Sequence, residues 1–222
     1  GWRLVMDDLG RVIDTLRERE PGALVLGGHS MGSFIALAGA EAHGDKLDGL
    51  VLCGSDYHPP LYYRLMASVL KWQRRRHGAR GQSPLVHKLT FEAWARSVPD
   101  ARTDFDWLSA DPAQVKAYID DPKCGFQCTT ATWLALLSAL AGVQSSRGLA
   151  RLPARLPILL LGGRQDPMSG GGKGMDRLQK VLSRRRLPVE RMDCPRGRHE
   201  ILNDFCAPEV RQTLLEWLNR RI

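Results

Sequence analysis

An apolar run, Ala23-Leu24-Val25-Leu26, leads into Gly28-His29-Ser30-Met31-Gly32, and Phe34-Ile35-Ala36-Leu37-Ala38 follows at once. A buried strand that must turn within five residues into a helix restricts the fold more than any other stretch of the chain. Such a turn forces a strained backbone on Ser30, and glycines two positions to either side let strand and helix approach without side-chain clashes. Ser30 then projects into a cleft from the end of the strand. The pentapeptide alone is equally compatible with a glycine-rich turn that has no chemistry; its strand and helix context favours the catalytic reading.

A serine hydroxyl is a weak nucleophile near neutrality, so it needs a base within hydrogen-bond reach and a group that orients the base. Candidates for both lie downstream. The segment Leu156-Pro157-Ile158-Leu159-Leu160-Leu161-Gly162-Gly163 is continuously apolar and flanked by proline and glycine, as a fully buried parallel strand should be, and Asp166 follows three residues later. A helix-compatible stretch, Lys173 to Leu182, and a strand, Pro188 to Met192, precede the loop Cys194-Pro195-Arg196-Gly197-Arg198-His199-Glu200. Taken singly, Asp166 before Pro167 reads as a turn opener, and His199 as a loop or first-turn histidine. Together, Ser30, Asp166 and His199 stand in chain order at the C-terminal edges of predicted strands, where parallel α/β sheets place their sites. Asp56, just after the strand Leu50-Val51-Leu52-Cys53, is the second candidate for the acid. The remaining histidines fit less well, with His29 inside the turn, His43 ending the next helix, and His58, His77 and His87 in the segment that follows.

With these residues in place the chain resembles the α/β-hydrolase superfamily, and within it the lysophospholipase and monoacylglycerol lipase-like serine hydrolases. The matching pieces are Gly28 to Gly32, Gly162-Gly163-Arg164-Gln165-Asp166-Pro167, and Gly197-Arg198-His199-Glu200-Ile201-Leu202-Asn203-Asp204, the last being the most specific. Asp104-Phe105-Asp106-Trp107-Leu108-Ser109, Asp111-Pro112 and Asp121-Pro122-Lys123-Cys124-Gly125-Phe126 also look like bacterial members of the group. The resemblance implies Ser30 as nucleophile, Asp166 as acid, His199 as base and the Met31 backbone N–H as an oxyanion donor, with no metal or cofactor. It implies hydrolysis of the acyl ester of a single-chain lipid, a lysophospholipid or monoacylglycerol. A serine aminopeptidase of the same superfamily is the alternative enzyme, and an inactive fragment or a lipid-binding module the alternative outside enzymes.

Gly1-Trp2-Arg3-Leu4-Val5-Met6-Asp7-Asp8-Leu9 resembles the helix just before the nucleophile strand. The family places half of its sheet and a His-Gly loop, which carries the second oxyanion donor, ahead of that helix. The sequence therefore reads as a single domain over residues 1–222 lacking its N-terminal part, with Ala23 to Leu26 left as a bare edge.

The 222 residues suit one core plus an insertion, and no apolar run approaches the roughly 18 residues of a membrane span. Helical spacing places Leu4, Val5, Leu9, Val12, Ile13 and Leu16 on one face of residues 2–19, predicting an amphipathic helix over a sheet. Val210, Leu214, Leu215 and Leu218 should face inward from a closing helix, Pro208 to Leu218. About four parallel strands alternate with helices, an α/β-hydrolase fold. Between residues 56 and 154 the strand rhythm is interrupted by a helical lid insertion, whose apolar helices would supply an acyl-chain pocket or form a small satellite core. Five scattered cysteines, Cys53, Cys124, Cys128, Cys194 and Cys206, predict free thiols, a reducing cytoplasmic setting and no zinc site. The net charge of +8 gathers in Lys71 to Arg80 and in Arg184-Arg185-Arg186. Without interleaved aromatics or a binding motif, these clusters argue against nucleic acid. They fit a solvated face, the first being also suited to peripheral contact with an anionic membrane.

Overall fold

The computed structural model describes residues 1–222 as α1 (Trp2–Arg19), β1 (Val25–His29), α2 (Met31–His43), β2 (Gly49–Cys53), α3 (Pro60–His77), α4 (Pro84–Leu89), α5 (Phe91–Arg96), α6 (Pro112–Asp120), α7 (Thr130–Val143), α8 (Ser146–Leu149), β3 (Ile158–Gly163), α9 (Lys173–Arg184), β4 (Val189–Cys194) and α10 (Ala207–Arg221). The four strands form one parallel sheet in the order β1-β2-β3-β4, with Leu26 beside Leu50, Leu50 beside Ile158 and Ile158 beside Val189. Buried on both faces, β2 and β3 carry apolar side chains at almost every position, and alternate residues serve opposite cores. Leu50, Leu52, Ile158 and Leu160 join α2 and α9 in the larger core. Val51, Cys53, Leu159 and Leu161 meet Val210 and Trp217 of α10 in the smaller one.

The sheet is the predicted one; of the two terminal helices, α10 keeps most of its expected inward face and α1 does not. In α1 only Ile13 of the named apolar residues is buried, while Leu4, Val5, Val12 and Leu16 are exposed. Trp2, Met6 and Leu9 supply the rest of the contact, and the helix lies on α2 rather than on the sheet. Leu9 fits there because Gly39 of α2 has no side chain: a Cβ would stand 2.7 Å from Leu9 Cδ2. In α10, Leu215 faces solvent and Trp217, fully buried, takes the inward position. Val210, Leu214 and Leu218 face the core as expected, and Trp217 joins them where the pattern had placed Leu215.

No strand occurs between β2 and β3, and the helices of this insert pack α3 against α7. A satellite core exists here in two parts. Tyr63, Leu136 and Leu140 close on Phe34 of α2, while Ala95, Val98, Trp107 and Leu108 cluster with Phe91 and Trp94. Tyr63, Ala67 and Leu70 form the inward face of α3, which turns Leu61, Leu65, Val69 and Trp72 outward.

Candidate active site

Ser30 stands at the junction of β1 and α2 with φ 54° and ψ −121°, a positive-φ conformation that costs a non-glycine residue about 1–3 kcal/mol. The surroundings hold it there: Ser30 N–H donates to Cys53 O at 3.0 Å, and Ser33 Oγ donates to Ser30 O at 2.6 Å. Gly28 is sterically required, since a Cβ would lie 2.1 Å from Gly32 O. Gly32 is not, because a Cβ at that position meets nothing within 4 Å. The predicted symmetry of the two glycines therefore fails: the close approach of strand and helix is borne by Gly28 alone. Although Ser30 occupies the N-cap of α2, its side chain makes no capping hydrogen bond. Met31 is the first residue of α2, so its N–H has no acceptor within the helix and is free for an external oxygen.

Asp166 and His199 are brought together in the interior. Asp166 Oδ2 lies 3.2 Å from His199 Nδ1, and both residues are at most 2 % exposed. The other carboxylate oxygen accepts the Met168 N–H at 2.9 Å, so the two lone-pair sets are assigned to different partners. A carboxylate at Nδ1 makes that nitrogen the donor and leaves Nε2 as the basic atom. The two loops meet because Gly163 lacks a side chain: a Cβ would collide with Gly197 O and Arg198 O at 2.2 Å. Gln165 N–H then donates to Gly197 O at 2.9 Å.

Ser30 reaches this pair indirectly. Its neighbour His29 stacks obliquely on His199 with ring centroids 4.7 Å apart, and His29 Nε2 lies 3.1 Å from His199 O. Burial first, and the neighbouring His199 second, hold His29 below the usual histidine pKa, so it is a neutral N–H donor to that carbonyl. Ser30 Oγ itself makes no hydrogen bond to His199, a contact that in free enzymes is often long and closes when substrate binds.

Asp56 is excluded as the partner of His199 by its own contacts. Its carboxylate lies 2.9 Å from His58 Nε2 and 3.2 Å from the Arg177 guanidinium. Beneath Ser30, burial pushes the Cys53 thiol up to about 12, aided by Asp166 and Glu200, which keeps it protonated and inert. The expectation of five free thiols is corrected: Cys194 and Cys206 are joined as a disulfide that brackets His199, and Cys53, Cys124 and Cys128 are free. Their separation of 12 residues gave no recognisable spacing, and the reducing-compartment argument loses its basis. No helix is long and apolar enough to cross a membrane.

Several residues of the site had no role assigned from sequence. Trp107 packs on the His199 ring at 5.2 Å and accepts the His199 N–H at its carbonyl, and Leu108 O accepts Glu200 N–H at 2.7 Å. Asp204, buried, takes backbone N–H groups from Arg198, Ala110 and Phe205. Arg198 donates to Asp106 O and Ser109 O. Residues 106–110 of the insert are thus built into the scaffold of the histidine loop. The paired motifs around Asp106 and Asp204 were visible, but their contact spans roughly 90 residues and leaves no local periodicity.

Fold and site together define a hydrolase of the α/β-hydrolase superfamily. The chain belongs to the family described as serine aminopeptidase, S33, which matches residues 1–205. It is similar in structure to a thermostable carboxyl esterase from Bacillus coagulans, with 25% identity and a TM-score of 0.88 over 100% of this chain and 72% of that one. A lipase in its open form gives 25% identity and a TM-score of 0.81 over 98% of this chain and 71% of the lipase. A monoacylglycerol lipase from Paleococcus ferrophilus, 23% identical, shares the fold with a TM-score of 0.65 over 98% of this chain and 76% of its own. No curated protein matches the chain by sequence.

Proposed function

We propose that this chain carries the active site of a serine carboxylester hydrolase that cleaves the acyl ester of a single-chain lipid, a lysophospholipid or monoacylglycerol. The observation that carries the proposal is the buried Asp166–His199 pair at the same sheet edge as the strained Ser30. Ser30 Oγ attacks the ester carbonyl while His199 Nε2 takes its proton, and the Met31 N–H stabilises the oxyanion. The ester C–O bond then breaks, His199 returns the proton to the leaving alcohol, and water hydrolyses the acyl-serine by the same steps. Asp166 fixes the tautomer and stabilises the imidazolium.

The lipid assignment is supported by the names of similar structures, a carboxyl esterase, a lipase and a monoacylglycerol lipase, and by the outer face of α3. Leu61, Leu65, Val69 and Trp72 are exposed on that helix, Lys71 lies beside Trp72, and Arg74, Arg75 and Arg76 follow in its last turn. Arg76 lies over the Trp72 ring at 5.2 Å. An apolar stripe edged by cations suits an anionic lipid surface. The family's description favours aminopeptidase activity as the second reading, which calls for a free acidic group near Ser30 to hold a substrate amine. Asp56 and Asp166 are instead occupied by Arg177, His58 and His199.

Turnover of a monoacylglycerol, a lysophospholipid, a short soluble ester and an aminoacyl anilide decides between these readings. Ester cleavage without anilide cleavage is expected. Replacing Arg74, Arg75 and Arg76 by Gln should lower turnover on anionic vesicles and spare the soluble ester, since each basic residue near a membrane contributes about 1 kcal/mol. Anilide cleavage alone would establish the aminopeptidase, and lipid binding without any turnover a non-catalytic module.

A further inference from the structure

We propose that a cavity inside the insert binds a methylated ammonium cation of the trimethylammonium type. The cavity, of about 510 Å³, lies between α4, α5, α6 and residues 125–127, and neither Ser30, Asp166 nor His199 lines it. Its volume falls in the range of about 300–1,000 Å³ usual for small-molecule sites.

Four aromatic rings line it, from Phe91, Phe105, Tyr118 and Phe126. Phe105 and Tyr118 stand 5.2 Å apart at 48°, so their faces are not hidden against each other, and Phe126 is 74% exposed. That apolar surface is what a ligand would remove from water. Two carboxylates, Glu92 and Asp104, share the lining with one guanidinium, Arg96, and with His87. Arg96 is engaged by Glu92 at 3.0 Å, and His87 Nε2 lies 4.0 Å from the same carboxylate. Asp104 takes part in no ion pair or side-chain hydrogen bond, although the chain as a whole carries +8. Asp104 is exposed at the rim, and a solvated carboxylate beside aromatic faces favours a cation that is weakly hydrated and has an apolar outer surface. Methylation gives an ammonium both properties, and ring faces attract it.

The cavity is one aromatic layer from the candidate base: Phe91 packs on Trp107 at 6.0 Å, and Trp107 on His199. The cation can therefore arrive free or as the head group of a lipid whose ester lies at Ser30. Binding does not rest on the hydrolytic reading, and a Ser30→Ala variant separates the two.

Choline chloride titrated calorimetrically into the wild type and into Ser30→Ala should bind saturably and equally to both. The uncharged isostere 3,3-dimethylbutanol should bind at least about 10-fold more weakly. Phe105→Leu should weaken choline by about 2- to 30-fold, the range of cation–aromatic attraction, and Asp104→Asn by about 2- to 5-fold, the upper part of what an exposed charge pair contributes. Asp104 has no side-chain partner whose loss would unfold the chain. Choline that inhibits lysophosphatidylcholine turnover but not that of a short ester assigns the cation to a substrate head group. Bound choline that inhibits neither assigns it to a free cation, and both results uphold the site. Absence of saturable choline binding, equal binding of the isostere, or an unchanged Asp104→Asn would overturn the proposal.

Discussion

Asp166 makes two separable contacts, one per carboxylate oxygen, and this defines what a single substitution can do. In Asp166→Asn the amide oxygen can keep the Met168 N–H, whereas the amide nitrogen must face His199 Nδ1. Two donors cannot share that contact, so the imidazole is driven to the tautomer whose Nε2 is protonated and no longer basic. Turnover of a short ester should fall about 10⁴-fold while the circular dichroism spectrum is retained. Near-normal turnover would show that another group orients the base. At this scale the strand-end placement of the candidates Ser30, Asp166 and His199 was legible: the first two follow apolar runs, and His199 follows β4, whose Glu190, Arg191 and Asp193 give a weaker signal. His29, Trp107 and Asp204 were not, because they act on the site through ring stacking and backbone acceptors, for which no residue spacing exists.

At the scale of elements, α2 carries a cost that its pattern does not announce. Glu41 is buried on it with Oε2 held by Arg151 at 2.6 Å and Oε1 unpartnered. Burial outweighs Arg151 and raises the carboxyl to about 8. For an acid whose folded pKa is raised, the folded state binds the proton more tightly than the unfolded one. The stabilisation is then complete below the ordinary value of 4.5 and is lost as pH rises through about 8. The melting temperature of the wild type should fall across this window, and Glu41→Gln should flatten the fall, with 1 kcal/mol appearing as about 2–4 °C. Parallel pH profiles for the two proteins would show that Glu41 titrates normally. Core strands were readable because continuous burial leaves only apolar residues, and β3 shows this at all six positions. Helix rotation was less readable in α1, which carries more leucines and valines than one buried face can take and seats Leu9 against Gly39, whereas in α10 only Leu215 fell on the wrong side and Trp217 was missed.

The whole molecule joins a sheet whose C-terminal edge presents Ser30 with an insert that is not merely a cover. Residues 106–110 hold the histidine loop by backbone hydrogen bonds, and the disulfide Cys194–Cys206 closes the same loop from the sheet side. The insert was recognisable as a break in the strand rhythm, yet its tie to His199 was not, because the two stretches are distant in sequence. Placement of His199, the proposed base, thus depends on three parts of the chain, while that of Ser30, the proposed nucleophile, depends on one turn. A fluorophosphonate probe followed by peptide mapping tests that account most directly, because covalent capture needs Ser30, a basic His199 and an oxyanion donor at once. The account predicts a single adduct on Ser30 that is absent in Ser30→Ala. An adduct on another residue, or labelling that persists in Ser30→Ala, would contradict it.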